Sequence, residues 1–428
     1  MREKILANVG RLLCGSSISA LMTFAAAALT ARTIGTSNFG ILVFIQAFAL
    51  IIAQLPGFNT WQAIITFGSR ARQQNDNAAL CQIIKISLLL DLVSGLLAFA
   101  AAMILAGPLT RLLGWPSETA TLLQFYAPAA ILSGSTTAAG ILRLHNRFSL
   151  LAAAGTVTPL LRLTGALLGF AGSYDLAGFT RAYLVATLSG QTILLLAAAA
   201  TLGRPLLTTM LFQPLQGLTA RFNGFWRYLL ISNLHATVKL LTRESDQLIT
   251  AAFINPAGLG VLKIARQFAM LLPMLADPIY QTLFTEFSRL HAGQKDSESA
   301  SLMKQSAIAG LLIGVAALII FLIAGPSVIS MVFGDEFMGA VPVTIIFMVA
   351  FTIALAGLHL QPVMLARGQP EASFKINLIS TIIYLILLPA LTSSFGIKGA
   401  AGAYVFYYLA WTVMMQAKVR KSTGAHER

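Results

Sequence analysis

The chain has 428 residues, of which 57% are hydrophobic and only 10% charged, with a mean hydropathy of +0.78. Soluble domains carry about 25% charged residues, so the composition excludes an ordinary soluble fold, and with it intrinsic disorder, a coiled-coil rod and, with two cysteines (Cys14 and Cys81), a disulfide framework. The net charge of +14 then asks which side of a bilayer the cations occupy, and no nucleic-acid partner is needed to explain it.

A helix crossing the hydrocarbon needs about 20 mostly apolar residues. Twelve stretches qualify, near 9–31, 39–66, 82–106, 120–142, 149–171 and 179–201, then 226–252, 259–285, 304–324, 341–365, 374–392 and 399–416. The first has a basic start (Arg2, Lys4) and small residues near 25–31. Its apolar stretch is too long for a signal-peptide core and more spans follow, so it reads as a span and not a cleaved leader. The second and eighth are too long for one straight crossing, and breaks are expected at Pro56-Gly57 and Asp277-Pro278. The longest connection, about 200–225, holds Pro205, Pro214 and Gly217 and no acid. With Leu206, Leu207, Met210, Leu211 and Phe212 it reads either as a piece lying on the membrane surface or as a plain linker.

Orientation follows from the basic residues. With the N-terminus inside, twenty of the 29 Lys and Arg fall on the inner side and four (Arg32, Arg111, Arg181, Lys398) on the outer side, the remaining five lying within spans. That bias predicts both termini in the cytoplasm, with the basic loops facing anionic lipid headgroups.

A shift of 220 residues aligns the two halves. Thr30-Ala31, Ile34, Gly40, Leu42 and Phe48-Ala49 meet Thr250-Ala251, Ile254, Gly260, Leu262 and Phe268-Ala269. These are seven identities across 30–49, where chance gives about two. Ala106-Gly107-Pro108 matches Ala324-Gly325-Pro326, and Gly178 matches Gly399, at slightly different offsets. Six spans per repeat is an even number, so both units share one orientation and are related by an axis along the membrane normal. The expected fold is an all-α integral membrane protein of twelve spans: a lobe at 1–203, an interfacial linker at 204–224, and a second lobe at 225–428, around a central cleft.

Catalytic signatures are missing. There is no Walker A pattern, no HExxH, and no histidine pair at metal-ligand spacing. The outer loops offer only Glu118, Asp175, Asp335 and Glu336, and no loop is large enough for a catalytic domain. The segment Gly68-Ser69-Arg70-Ala71-Arg72 lacks the acid-plus-arginine signature of major facilitators. A transporter, with no catalytic or metal residues and no cofactor, is expected over an enzyme.

Several motifs carry a resemblance. Ala31-Arg32-Thr33-Ile34-Gly35 through Phe39-Gly40 is similar to the opening A-R-x-x-G-x-x-x-F/Y-G of polysaccharide transporters. Asp246-Gln247-Leu248-Ile249, Leu259-Gly260 and Ala265-Arg266 resemble its second-half counterpart. Phe395-Gly396-Ile397-Lys398-Gly399-Ala400-Ala401 resembles the F-G-I-x-G-A-A entry to the last helix. From about 5 to 416 the chain resembles the oligosaccharide-flippase branch of the MOP superfamily, cousins of the MATE antiporters. The resemblance implies export of a polyprenyl-pyrophosphate-linked sugar unit, such as an O-antigen, capsule or exopolysaccharide repeat, across a bacterial inner membrane. It also implies a polysaccharide polymerase and chain-length machinery as partners. Twelve spans depart from the branch's commoner fourteen.

Ionisable groups inside spans are expensive and normally face an interior cavity. The seventh span holds His235, Lys239, Arg243, Glu244 and Asp246, and the steps 235, 239, 243, 246 put four of them on one helical face. Lys263 and Arg266 stand near the outer end of the eighth span. Together they are expected to form a cationic wall for an anionic headgroup, Arg as a planar fork and Lys as a point charge. The competing reading is structural pairing, Arg243 with Asp246 or Asp246 with Arg266. Arg162, after Thr158-Pro159 in the fifth span, reads either as a cavity residue or as a charge reaching the interface. Arg32 reads as an outer-rim residue before a ligand. Asp91, the lone acid of the third span, together with Asp246 and Glu244, is a candidate for coupling to a proton or sodium gradient, against simple pairing. His359 is expected to pack rather than shuttle protons. Three alternatives stay open: a MATE-like antiporter of small molecules, a membrane-embedded polymerase or glycosyltransferase, and a non-transporting scaffold.

Overall fold

A computed structural model describes residues 2–214, 222 and 224–424; within its helices, the side chains of 2–16, 211, 235, 236, 238, 239, 241–245, 275–278, 281 and 422–424 lie outside the description. The described residues form helices and no strand. In chain order these are α1 (Arg2–Gln54), α2 (Thr60–Gln73), α3 (Asn77–Leu113), α4 (Glu118–Tyr126), α5 (Ala129–Ser133), α6 (Thr137–Leu144), α7 (Phe148–Ala171), α8 (Leu176–Phe212) and α9 (Phe225–Ala251). There follow α10 (Pro256–Ala269), α11 (Leu271–Ala292), α12 (Asp296–Phe333), α13 (Ala340–Ala356), α14 (Leu360–Ala366) and α15 (Pro370–Gly424).

α3 shows what kind of solvent this chain is built for. Its buried face reads Ser87, Asp91, Ser94, Gly95, Ala98, Ala102, Ala106 and Thr110. Its opposite face presents Leu92, Val93, Leu96, Leu97 and Ile104, half exposed or more. Small and polar inside with large and apolar outside inverts the pattern of a soluble helix, and is stable only where lipid covers the outer face. α12 repeats it, with Gly310, Gly314 and Gly325 buried and Leu312, Ile320 and Ile323 exposed. Among the described residues, eight helices are long and apolar enough to cross a membrane, nine if the bent pair 118–126 and 129–144 is one span. The protein is a multi-pass membrane protein.

Two of the long helices are pairs joined at a glycine. α1 breaks at Gly35 (φ 76°, ψ 174°) and α15 at Gly396 (φ 58°, ψ −138°), conformations that a β-carbon resists. Both breaks fall in the gaps between expected spans. The second break expected at Pro56-Gly57 is present: α1 ends at Gln54 and α2 begins at Thr60. The second unit's long span is interrupted at Met270, and the backbone of α11 is helical through 277–278, where the other break was expected. Pro273 then falls in the first turn of α11, where its missing N–H costs nothing.

The chain divides into two compact units, Met1–Leu248 and Ile249–Arg428. The division lies further along than the expected linker at 204–224, and the packing shows why. Phe67 of α2 holds Phe222, Phe225 and Tyr228 edge-on at 5.6, 5.2 and 5.5 Å. Thr66 donates to the Tyr228 hydroxyl at 3.1 Å, and the Asn59 amide donates to the Ser232 carbonyl at 3.2 Å. The start of α9 therefore belongs to the first unit's core. Past the break at Gly203, the end of α8 is tied to the head of α3. Cys81 Sγ donates to Leu206 O (3.6 Å), Gln82 Nε2 to Pro214 O (2.8 Å) and Lys85 Nζ to Gln213 O (2.9 Å).

In the first unit α1 packs on α7 and α7 on α8; in the second, α13 packs on both α12 and α15. The spacing of the sequence repeat recurs in the backbone. Positive-φ corners at Asn75, Gly114, Asn146 and Ser173 recur at Gln294, Gly334, Gly368 and Gly396, offsets of 219 to 223. α3 and α12 begin 219 residues apart, at Asn77 and Asp296, and each carries a late proline, Pro108 and Pro326. The fourth helix of each series is broken, at Gly134–Thr136 before α6 and at Gly357–His359 before α14. At both breaks the preceding backbone is pressed against a glycine. A β-carbon on Gly95 would lie 2.2 Å from Ile131 O, and one on Gly310 would lie 2.1 Å from Leu355 O.

Candidate functional site

The first unit holds a polar clasp at its two broken helices. α3 passes unbroken between them and places Asp91, 6% exposed, at their ends. Asp91 Oδ2 accepts from Ser135 Oγ (2.7 Å), Thr136 N (3.1 Å) and Thr137 N (3.1 Å), and Oδ1 accepts from Thr60 Oγ1 (3.1 Å). Thr136 and Thr137 open α6, and Thr60 opens α2. One carboxylate therefore caps the N–H groups that α6 cannot bond internally and holds the first residue of α2, where the helix dipoles favour negative charge. Thr60 Oγ1 also meets Thr136 Oγ1 at 2.8 Å and accepts from Thr137 Oγ1 at 2.9 Å. Beside it, Ser94 Oγ donates to Pro56 O in the break after α1 (2.9 Å).

A second polar group lies around Arg162. The residue stands nine positions before the end of α7 at Ala171, about 14 Å along a helix that is long and apolar enough to cross a membrane. Its Nη2 donates to Thr187 Oγ1 (3.1 Å), and its Cζ stands 5.2 Å from the centre of the Tyr183 ring. Tyr126 and Thr187 hydroxyls are 3.1 Å apart, Tyr183 and Thr30 hydroxyls 3.0 Å apart, and Thr187 Oγ1 donates to Tyr183 O at 2.8 Å. The two α8 residues that meet the guanidinium, Thr187 and Tyr183, are thus tied by hydroxyl contacts to α4 and α1. No carboxylate pairs with it among the described residues, and its buried Nε makes no hydrogen bond. Arg162 points inward and does not reach for the interface. It can bind an anion through a donor that is already desolvated.

In the second unit, Lys263 and Arg266 are half-buried one turn apart on α10. Arg266 is ten residues from the start at Pro256, about 15 Å along the helix. Its Cζ stands 5.5 Å over the Tyr404 ring. From Tyr404 an aromatic ladder extends through Tyr384 (4.9 Å), Phe347 (5.2 Å) and Phe351 (6.4 Å), and from Phe351 to Tyr408 (5.7 Å). A ring face carries negative charge density and steadies a cation without neutralising it.

Arg32 is exposed three residues before the Gly35 break. Asp246 is buried, 3% exposed, near the end of α9. The side chains of His235, Lys239, Arg243 and Glu244 lie outside the described residues, although their backbone is helical. His359 is buried at the N-terminus of α14. Among the described residues no group of three metal-ligating side chains occurs. Sequence reasoning singled out Asp91 and Arg162 but missed their partners. The run Ser135-Thr136-Thr137 after Gly134 was a usable signal, since hydroxyl residues in mid-span mark a helix start. Tyr183 and Thr187 gave none.

In Escherichia coli strain K12, the inner membrane protein YghQ is 26% identical over 331 residues, covering 76% of this chain and 92% of that protein. The probable low-salt glycan biosynthesis flippase Agl15 of Haloferax volcanii is 24% identical over 169 residues, 40% of this chain and 36% of that protein. Among solved structures, a multidrug resistance MATE family transporter of the MOP superfamily superposes with TM-score 0.71 at 15% identity, covering 95% of both chains. The lipid II flippase MurJ superposes with TM-score 0.71 at 12% identity, covering 96% of this chain and 87% of that one. The all-helical membrane fold is therefore theirs. Residues 5–291, more than half the chain, match the family described as polysaccharide biosynthesis protein, and the chain belongs to that family.

Proposed function

We propose that this protein is a flippase. It moves a polyprenyl-pyrophosphate-linked oligosaccharide from the cytoplasmic to the outer face of a bacterial inner membrane. Twelve spans in two six-helix lobes, with both termini in the cytoplasm, rock about a central cleft to expose it alternately. The observation that carries the reading is Arg162, a guanidinium within α7 that bonds the Thr187 hydroxyl and lies over the Tyr183 ring, with no carboxylate partner among the described residues and one buried donor unused. A cation kept within a span costs a few kcal/mol or more, and an anionic cargo offsets it. The relatives' names, a glycan flippase and a lipid II flippase, support the same cargo class.

In this reading Lys239, Arg243, Lys263 and Arg266, with His235 and Arg162, receive the pyrophosphate, and Arg32 stands at the outer rim. The polyprenyl tail stays in lipid, and no catalysis is involved. Coupling to a proton or sodium gradient falls to Asp246, Asp91 or Glu244. A polysaccharide polymerase and its chain-length machinery take up the exported unit.

The test is reconstitution into vesicles with a polyprenyl-pyrophosphate glycan carrying a labelled sugar, scored by exposure of the label to an outside lectin. Flipping should be lost in Arg162→Glu and Lys239→Glu, and the Asp246→Asn variant should lose its response to an imposed gradient. Unaltered flipping after charge reversal at both Arg162 and Lys239 would refute the proposal.

A further inference from the structure

The second unit contains a cavity that the charged residues do not explain. It measures about 180 Å³, and its described lining residues are uncharged, among them Pro273 and Tyr280 of α11, Phe351 of α13, Gln361 of α14, and Tyr408 and Trp411 of α15. The break at Gly357–His359 ends α13 and restarts the chain as α14, which brings Gln361 to the wall as the second residue of the new helix. Two polar groups there are open: among the described residues the Gln361 amide and the Tyr280 hydroxyl, both half-buried, make no hydrogen bond. The Trp411 indole is fixed, its Nε1 donating to Asn377 Oδ1 at 2.6 Å.

Each feature narrows the ligand. With no cation among its described lining residues, the cavity does not suit a phosphate. With a free amide and a free phenol it does not suit an isoprenoid chain, which would leave both without partners at a cost of about 1–3 kcal/mol each. Its volume is below the ~300 Å³ at which pockets for drug-sized ligands begin, so it fits one ring and not a chain of them. Aromatic faces attract the weakly positive C–H hydrogens on one side of a pyranose, and an amide with a hydroxyl can both donate to and accept from its hydroxyls.

Position supplies the last constraint. Phe351 both lines the cavity and stands 6.4 Å from Tyr404, whose ring carries Arg266 at 5.5 Å. A molecule with a diphosphate at Arg266 could lay its sugars along this ladder. Gln361 is also five residues from the end of α14 at Ala366, about 8 Å from the turn that carries Arg367, on the proposed cytoplasmic side. We infer that this cavity is a binding subsite for one neutral sugar ring of the cargo, filled while the headgroup is being loaded. The inference rests on the flippase reading for its cargo.

The experiment uses the full chain in lipid nanodiscs, with Trp61, Trp115 and Trp226 changed to Phe so that Trp411 alone reports. Methyl glycosides of hexoses, N-acetylhexosamines and 6-deoxyhexoses are titrated, with farnesyl pyrophosphate in a parallel arm. At least one glycoside should change Trp411 emission saturably. Gln361→Leu and Tyr280→Phe should each weaken it about tenfold, the loss of one hydrogen bond. Ala354→Leu, which fills the cavity and leaves both polar groups in place, should abolish it. None of these changes should alter farnesyl pyrophosphate binding at Arg266. Two results overturn the inference: no glycoside in the panel binding saturably, or farnesyl pyrophosphate alone quenching Trp411 with undiminished effect in Gln361→Leu. If flipping is present in vesicles but glycoside binding is absent, the subsite fails and the flippase reading stands. If glycosides bind and flipping is absent, the reverse holds.

Discussion

Replacing Asp91 with alanine removes the acceptor for four donors at once. The Thr60 hydroxyl loses little, because it already pairs with Thr136 and Thr137, whereas Ser135 Oγ loses the one partner it has among the described residues. The backbone N–H groups of Thr136 and Thr137 have no such recourse at the head of α6. Each costs about 1–3 kcal/mol when left buried and unbonded, so Asp91→Ala should lower unfolding stability by about 3 kcal/mol or more, against a usual total of about 5–15 kcal/mol. Asparagine differs. Its amide oxygen can replace Oδ2 opposite Ser135, Thr136 and Thr137, while its NH₂ donates to Thr60 Oγ1. Only the charge assistance is lost, so Asp91→Asn should cost about 1 kcal/mol. Denaturant unfolding of the solubilised protein, followed by tryptophan emission, measures both. If Asp91→Ala unfolds at the wild-type midpoint, the clasp does not hold these helices. If Asp91→Asn is stable but flips cargo without responding to an imposed ion gradient, the charge itself serves coupling.

Close packing at the second break gives another expectation. Gly310→Leu must push Leu355 O away from a β-carbon that would otherwise stand 2.1 Å from it, so it should cost about 1–3 kcal/mol in the same unfolding assay, and Gly95→Leu should match it. Gly396→Ala places a β-carbon at φ 58°, ψ −138° and should cost about 1–3 kcal/mol; an unchanged midpoint would mean that α15 does not need that corner. Arg162→Lys keeps the charge but cannot serve Thr187 and a ligand as a fork. It should retain folding and lose most flipping, whereas full activity would show that charge alone suffices. Tyr183→Phe removes the hydroxyl next to Thr30 (3.0 Å) and should destabilise by about 1 kcal/mol without abolishing flipping.

Much of the fold was legible because lipid imposes a simple rule on composition. The gaps between expected spans at 32–38 and 393–398 contain the very glycines, Gly35 and Gly396, at which α1 and α15 turn. The break after Gln54 was readable from Pro56-Gly57. The interruption at Met270 carries no local signal in the sequence. The attachment of α9 to the first unit depends on Phe67 meeting Phe222 and Phe225, a contact more than 150 residues apart in sequence that no periodicity records. The site followed the same division. Rare charges such as Asp91 and Arg162 announce themselves against an apolar background. The threonines and tyrosines that bond them look like ordinary span residues until the helices are packed.

The repeat is not carried through to its chemistry. The position 219 residues after Asp91 is Gly310, and where the first series has a carboxylate riveting a fractured rod to its neighbours, the second has bare backbone pressed on backbone. A duplicated scaffold pinned in one copy and merely nested in the other has a stiff arm and a pliant one. Any large motion within a bundle should therefore begin at the Gly357–His359 joint, beside the ring-lined cavity, and the Asp91 side should act as the fixed post.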